Sequence, residues 1–370
     1  MAITGEVVFQ RIADMGGTLD LNKVRRALGP VALEAKLQPS RSAPDYVKFA
    51  APIPLNLSAF GVGDCVAEDG TPITVSARLY EVGALAIMIR YPASCEKVEE
   101  LARFNNLKIR TQNVTLSRAQ LFDMIGSAVR PRIKPALDEI FDTPVEPERY
   151  TAFCLKEVPN GAAQFLNHCR NHIAGLLVAE PTPERLSRQE VDEILRQQFS
   201  YYDDDSAIVD WDAACIIEPS GQYEDFLYLS EVANLQLMVL RKYDHYLDTV
   251  LEKSYEDYKR MTKGPPIFAG PATSMIQELS EVRMDLAKVT DELDNMAKFF
   301  GDWYLARVYL GLESKLHIGN YHKMLENKVT TLNELYQTVL AEIDRRQNVI
   351  LEVMIVLLIV VELILGFVRH

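Results

Sequence analysis

The sequence predicts an α+β protein: an N-terminal mixed α/β body with mostly antiparallel sheet, then long α-helical coiled-coil hairpins, then a C-terminal transmembrane helix. Three observations predict it. Strand-like and helix-like segments alternate as far as Pro219, and strand signals stop after Ser220-Gly221. Apolar residues then recur at 4,3 spacing, the seam of a coiled coil. They stand at Met275, Leu279, Val282, Leu286, Val289, Leu293, Met296 and Phe300, and again at Leu325, Val329, Leu332, Tyr336, Val339 and Ile343. Finally, Val349–Val368 is apolar but for Glu352 and Glu362. A helix of that length is about 30 Å long, the thickness of a bilayer's hydrocarbon core. The chain accordingly divides into an N-terminal α+β domain (1–145), a second α+β segment (146–221), long helices (222–347) and an anchor (348–368).

Taken in order, residues 1–43 predict a short amphipathic helix followed by a second at Leu21–Leu28, stopped by Gly29-Pro30. VKFAAPIPLNL is extended and proline-interrupted. ITVSARLYEV and ALAIMIRYP flank Gly83 as a hairpin, and the nearly continuous apolar run of ALAIMIRY marks a central strand. Helices follow near Cys95–Phe104 and Ser117–Phe141, the second bent or ended by Pro131 and Pro135. YTAFCLKEV reads as a strand, GAAQFLNHCRNHI as a helix, and Ser187–Gln198 as a helix capped by Ser187. SYYDDDSAIVDWDAACIIEP reads as a hairpin with its turn near Asp204–Ser206. Tyr223–Met261 is one long helix, KGPPIFAGPA (263–272) breaks it, and FFGDW (299–303) is a second break. Either the chain does not reverse at Gly319-Asn320 or the first arm breaks at this second point. A straight hairpin about Gly319-Asn320 would lay the acid-rich residues 273–293 alongside the apolar span, where they cannot face lipid.

The formal charge of −13 argues against a general nucleic-acid binder. Cys65, Cys95, Cys154, Cys169 and Cys215 are scattered and odd in number, without a CxxC pair, as reduced thiols are. The N-terminus has no apolar h-region and carries Glu6 and Asp14, so the apolar C-terminal helix is the expected membrane address. A buried core helix is the alternative, but core helices rarely stay apolar all round for so long. Arg345 and Arg346 flank the span and place the body on the cytoplasmic side of an inner membrane, single-pass, or on the matrix side of the mitochondrial one. Glu352 lies within a turn of that end and reaches the interface. Glu362 is deeper, and a hydrogen bond to a neighbouring helix would favour self-association.

Residues 103–134 reverse the overall charge, with Arg103, Lys108, Arg110, Arg118, Arg130, Arg132 and Lys134 against Asp123. Such a run is by default a solvated face; otherwise these residues are candidates for contact with phosphates of lipid headgroups or RNA. His168 and His172 would share one face of a helix, as in zinc hydrolases, but Cys169 occupies the place of the catalytic Glu and no third ligand is in register. Asp203, Asp204, Asp205, Asp210 and Asp212 have no EF-hand spacing and read as a solvated turn. There is no P-loop, no GxGxxG after a strand and no GxSxG elbow, so no catalytic, cofactor or metal residue is assigned.

FFGDWYLARVYLGLESKL (299–316), ENKVTTLNELYQTVL (326–340) and RRQNVILEVMIVLLIVVEL (345–363) resemble the Rmd/Sif (required for meiotic nuclear division) family, which ends in an apolar span opening with Leu-Glu and carrying a later Glu. The likeness is looser over 150–244, where SEVANLQLMVLRKYD (230–244) opens the long helix, and leaves out the first 140 residues. It implies a non-enzymatic, homo-oligomeric, membrane-anchored scaffold without cofactor, holding translation machinery near an inner membrane. Its implied partners are membrane lipid, further copies of itself and a protein, with no sequence-specific nucleic acid. A tethering or fusion factor and a membrane-bound metal-dependent enzyme are the alternatives.

Overall fold

Val7, Val8, Phe9 and Ile12 are β-branched or aromatic, and all four are buried although consecutive positions point to opposite sides. The segment is therefore a central strand, β1 (Ile3–Asp14), where the spacing predicts a short helix. The pairing of Val8 with Ile12 looks helical only because both faces of this strand are covered, which erases the alternation that identifies a strand. In the computed structural model the described residues are 2–33, 52–112, 114–137, 145–263 and 303–368, with 280 and 284 besides.

β1 pairs antiparallel on one side with β5 (Ala84–Cys95) and on the other with β8 (Glu148–Glu157). Beyond β5 come β4 (Pro72–Tyr80), β3 (Cys65–Ala67), β6 (Lys108–Thr111) and β7 (Val114–Ser117), with β2 (Ile53–Pro54) beside β4. Beyond β8 come β11 (Ala213–Ile217), β10 (Ser206–Val209) and β9 (Gln198–Phe199). Among the described residues this is one mostly antiparallel sheet, and β8 with β11 is its parallel pair. Segments 1–145 and 146–221 thus share a sheet, joined along β1 and β8. Gly5 sits at a register shift there, so close to β8 that a Cβ would lie 2.0 Å from the Cys154 carbonyl oxygen. Gly83 closes the expected β4–β5 hairpin with φ +78.

One face of the sheet holds Val7, Phe9, Leu85, Ile87, Ile89, Phe153 and Leu155, which form the main core. It is covered by α1 (Leu21–Leu28), α2 (Arg118–Ile133), α3 (Ala162–His168), α4 (Arg170–Leu177) and α5 (Arg188–Ile194). Asp20 caps α1, Ser117 forms a capping box with Gln120 on α2, and Ser187 caps α5 as expected. Pro131 falls in the last turn of α2, which ends at Ile133. The opposite face carries Val8, Gln10, Ile12 and Asp14 with Ala84, Ala86, Ala152 and Ala214, all buried. The first part of the long helix α6 (Glu224–Lys263), as far as Lys242, lies over it.

Several local expectations differ from the fold. Cys95 closes β5, and the predicted helix is a 3-10 run, Val98–Asn106. β6 and β7 form a hairpin whose strands are too short to alternate legibly. The 200–217 region makes two turns: 200–205 joins β9 to β10, and 210–212 joins β10 to β11. Downstream, α7 (Trp303–Lys315) and α8 (Ile318–Val368) are separated at His317, whose φ of 53 breaks the helix. α8 runs 51 residues, about 75 Å at 1.5 Å per residue. The first seam (Met275, Leu279, Val282, Leu286, Val289, Leu293, Met296, Phe300), most of KGPPIFAGPA and residues 299–302 lie outside the described residues.

The chain divides into two compact units. One comprises Met1–Lys242 with Glu292–Gly319 and contains the sheet; the other comprises Tyr243–Asp291 with Asn320–His370. In the second, Lys328 of α8 lies 2.5 Å from Asp244 and 2.6 Å from Asp248, one helical turn apart on α6.

Candidate functional site

The end of α8 is the least conventional surface of the molecule. Val349, Leu351 and each described residue from Val353 to Leu365 other than Glu362 is a large, exposed hydrophobic side chain. Among the described residues it is one helix long and apolar enough to cross a membrane, and the apolar window is 0% buried. Soluble proteins rarely leave so large a patch bare. Glu352 and Glu362 are exposed on the same stretch. At its start Arg345 and Arg346 both hydrogen-bond Glu342, at 2.8 Å, and these bonds hold the Glu342 carboxyl down to about 2. Of the second seam, Leu325, Leu332 and Val339 are buried in the single chain, while Val329, Tyr336 and Ile343 are half-buried.

A second feature lies at the start of α6. Between Leu227 and Lys242 polar and charged side chains of α6 are buried against the sheet among apolar ones. Glu231, 1% exposed, accepts from Arg78 at 2.7 Å and from the Tyr80 hydroxyl at 2.5 Å. Burial, with the Glu231 charge adding to it, pushes the Tyr80 phenol well above its ordinary range. Ser230 donates to Gln10, which donates to the Leu227 carbonyl. Lys242 lies 3.1 Å from Asp14, both side chains almost wholly buried. Arg241 donates to Glu148 at 2.9 Å, and burial raises the Glu148 carboxyl although Arg241 opposes it. These partners cross from helix to sheet in a fixed order, so they set the position of α6 on β1, β4 and β8. The sequence signal for them is SEVANLQ (230–236), where Ser230, Glu231, Asn234 and Gln236 interrupt the apolar residues of the long helix.

The sequence-derived chemical candidates are not gathered into one place. His168 ends α3 and His172 belongs to α4, with Cys169 between the two helices, so the shared face needed for paired ligands is interrupted. His172 Nδ1 is 3.1 Å from Glu99 Oε1, an ion-pair distance without hydrogen-bond geometry. Asp205 accepts from the Tyr201 and Tyr202 amides, and Asp210 lies 2.8 Å from Lys315. Among the described residues no three His, Cys, Asp or Glu side chains group as a metal site.

The basic run is likewise dispersed. Lys108 faces Glu68 at 3.2 Å, and Arg103, Arg130 and Arg132 each donate to a backbone carbonyl, those of Ser94, Asp14 and Ala59. Arg110 and Lys134 are exposed. Three of these guanidinium groups lie over aromatic rings: Arg103 over Phe104 at 4.8 Å, Arg132 over Phe60 at 4.5 Å and Arg118 over Phe9 at 3.9 Å from the centroid.

Residues 4–224 match the family model described as "Uncharacterized protein MJ0711, N-terminal domain", and the chain belongs to that family. The similar protein from Methanocaldococcus jannaschii, "Uncharacterized protein MJ0711", is 22% identical over 222 residues, 60% of this chain and 66% of that protein. The match therefore spans just under two thirds of the relative's length. No solved structure matches the chain.

Proposed function

We propose that this member of the MJ0711 N-terminal domain family is a non-enzymatic, membrane-anchored scaffold that holds its α+β body against one face of an inner membrane. The single observation that carries the proposal is the exposed apolar end of α8, from Val349 to Leu365. Burying one such Leu, Ile or Val side chain is worth about 1.5–3 kcal/mol, so an uncovered run of this length favours hydrocarbon over water. Its length fits a single crossing. Arg345 and Arg346 at the near end support a cytoplasmic or matrix-facing body. Glu362 on a lipid-facing helix supports self-association, since a carboxyl in hydrocarbon lacks a partner unless another helix supplies one. The choice of translation machinery as the protein held rests on the resemblance to the Rmd/Sif family.

The test is extraction of native membranes at alkaline pH. The full chain should stay in the pellet, and a chain ended after Ile343 should move to the supernatant. A full chain released by alkali, or a shortened one retained after alkali, would overturn the anchor.

A further inference from the structure

Phe9 and Arg11 are two apart on β1 and project to the helix-covered face. In the β1–β8 register Phe9 stands opposite Thr151 and Arg11 opposite Arg149, so the two arginines share that face as direct neighbours. Like charges placed directly opposite each other destabilise a sheet. A third arginine comes from α2: Arg118, its first residue, stacks on Phe9. Burial, and then the charge of Arg149, depress the proton affinity of Arg118 below its ordinary value.

Little compensates this charge. The described carboxylate in contact is Asp123, which accepts from Arg11 Nη1 at 2.6 Å and is itself 64% exposed. Three guanidinium groups against one carboxylate leave a formal charge of +2 in a chain whose total is −13. Two N–H groups are enclosed without an acceptor among the described residues, Arg118 Nη1 and Arg11 Nε. An unmet buried donor costs about 1–3 kcal/mol, more when it is charged, and folds rarely leave two together. The Arg11 side chain is only 14% exposed, whereas Arg149 and Asp123 are exposed. The cluster therefore has a closed floor and an open rim.

We infer that Arg11, Arg118 and Arg149 form a binding site for a phosphate-type dianion. Guanidinium forks match phosphate oxygens in pairs, and stacking on Phe9 holds the Arg118 plane so that its edge N–H groups remain available. The start of α2 adds the positive end of a helix on the same side. A monoanionic carboxylate would leave part of the +2 charge unmet. The phosphoryl group can belong to a soluble phosphate or to a phosphomonoester lipid headgroup.

The experiment is calorimetric titration of inorganic phosphate into the detergent-solubilised full chain, in a chloride buffer. Saturable 1:1 binding is expected, about ten- to a hundredfold weaker in Arg118→Gln, as loss of a charged hydrogen-bonding partner predicts. Arg149→Gln, at an exposed position, should weaken it in the same direction if Arg118→Gln does not fold, and Arg103→Gln should leave it unchanged. Vesicles carrying phosphatidic acid should compete with phosphate if the source is lipid and should not if it is a free ligand; phosphatidylcholine vesicles are the control. No phosphate binding to a folded chain, or binding unchanged in a folded Arg118→Gln variant, overturns the site. Membrane extraction at alkaline pH is unaffected by these substitutions, so failure here and failure of the anchor are separate results.

Discussion

The thiols respond to burial in a way that can be counted. Burial pushes the Cys215 thiol up to about 12, and raises Cys154 well above its ordinary range. At pH 8 a thiol with pKa 12 is about one part in ten thousand thiolate, and the thiolate is the reactive form. A disulfide exchange reagent at pH 8 should therefore modify Cys169, the half-buried one, first, and should reach Cys154 and Cys215 only with denaturant. Fast labelling of Cys215 in the folded protein would contradict its placement in β11. Glu231 makes the opposite kind of prediction. Glu231→Ala leaves Arg78 and the buried Tyr80 hydroxyl without their acceptor, at a cost of about 3–5 kcal/mol. Glu231→Gln, which keeps an acceptor oxygen, should lose less. Thermal melting of the purified chain separates the three proteins. At this scale the sequence is only partly informative: Arg118 is one of seven residues in a basic run, and neither Arg11 nor Arg149 belongs to it. Their meeting depends on the β1–β8 register, a contact between segments 138 residues apart (Arg11 to Arg149) that no local spacing encodes.

Elements with one dry and one wet side, or with a clear cap, were legible. Leu21–Leu28, the Gly83 hairpin and the long helix after Tyr223 form where the pattern places them, and the Ser187-capped helix starts there but ends at Ile194, short of the expected Gln198, which belongs to β9. β1 is a strand where a helix is expected because helices cover both of its faces, and the single helix expected over GAAQFLNHCRNHI (161–173) breaks in two at Cys169, the second half running on to Leu177. The closeness of β1 to β8 yields a test. Gly5→Ala would drive a methyl group into the Cys154 carbonyl, a backbone atom that cannot swing aside. Overpacking of this kind costs about 1–3 kcal/mol, and the melting temperature should fall accordingly. An unchanged melting temperature would mean that β1 and β8 do not approach as described. The seam at Leu325, Leu332 and Val339 carries a similar consequence. Because these side chains are buried within one chain, Leu332→Asp with Val339→Asp should unfold the helical unit rather than merely separate subunits. Far-ultraviolet circular dichroism of the variant, set beside its size in solution, distinguishes the outcomes.

For the whole molecule, the exposed apolar end of α8 decides what kind of assembly is open to it. Glu342 stays ionised through the physiological range, since hydrogen bonds from Arg345 and Arg346 hold it down to about 2. The cationic flank is thus partly offset, and the orientation proposed above rests on two arginines that are already engaged. Among the described residues no hydrogen bond or ion pair is found for Glu362. It is exposed on a helix whose neighbours Val361 and Leu363 are exposed hydrophobics, and in hydrocarbon its carboxyl is stable only when hydrogen-bonded. Leu325, Leu332 and Val339 are taken up inside the chain, and on the proposed single span a second copy of the same helix is one source of a partner for Glu362. Confinement to a membrane raises the effective concentration of that partner. Light scattering of the detergent-solubilised full chain should give a mass above the monomer. Glu362→Leu should shift it toward monomer while the thermal melting of the α+β body is unchanged. A monomeric wild type at micromolar concentration, or an assembly that Glu362→Leu leaves intact, would place any self-association outside the span.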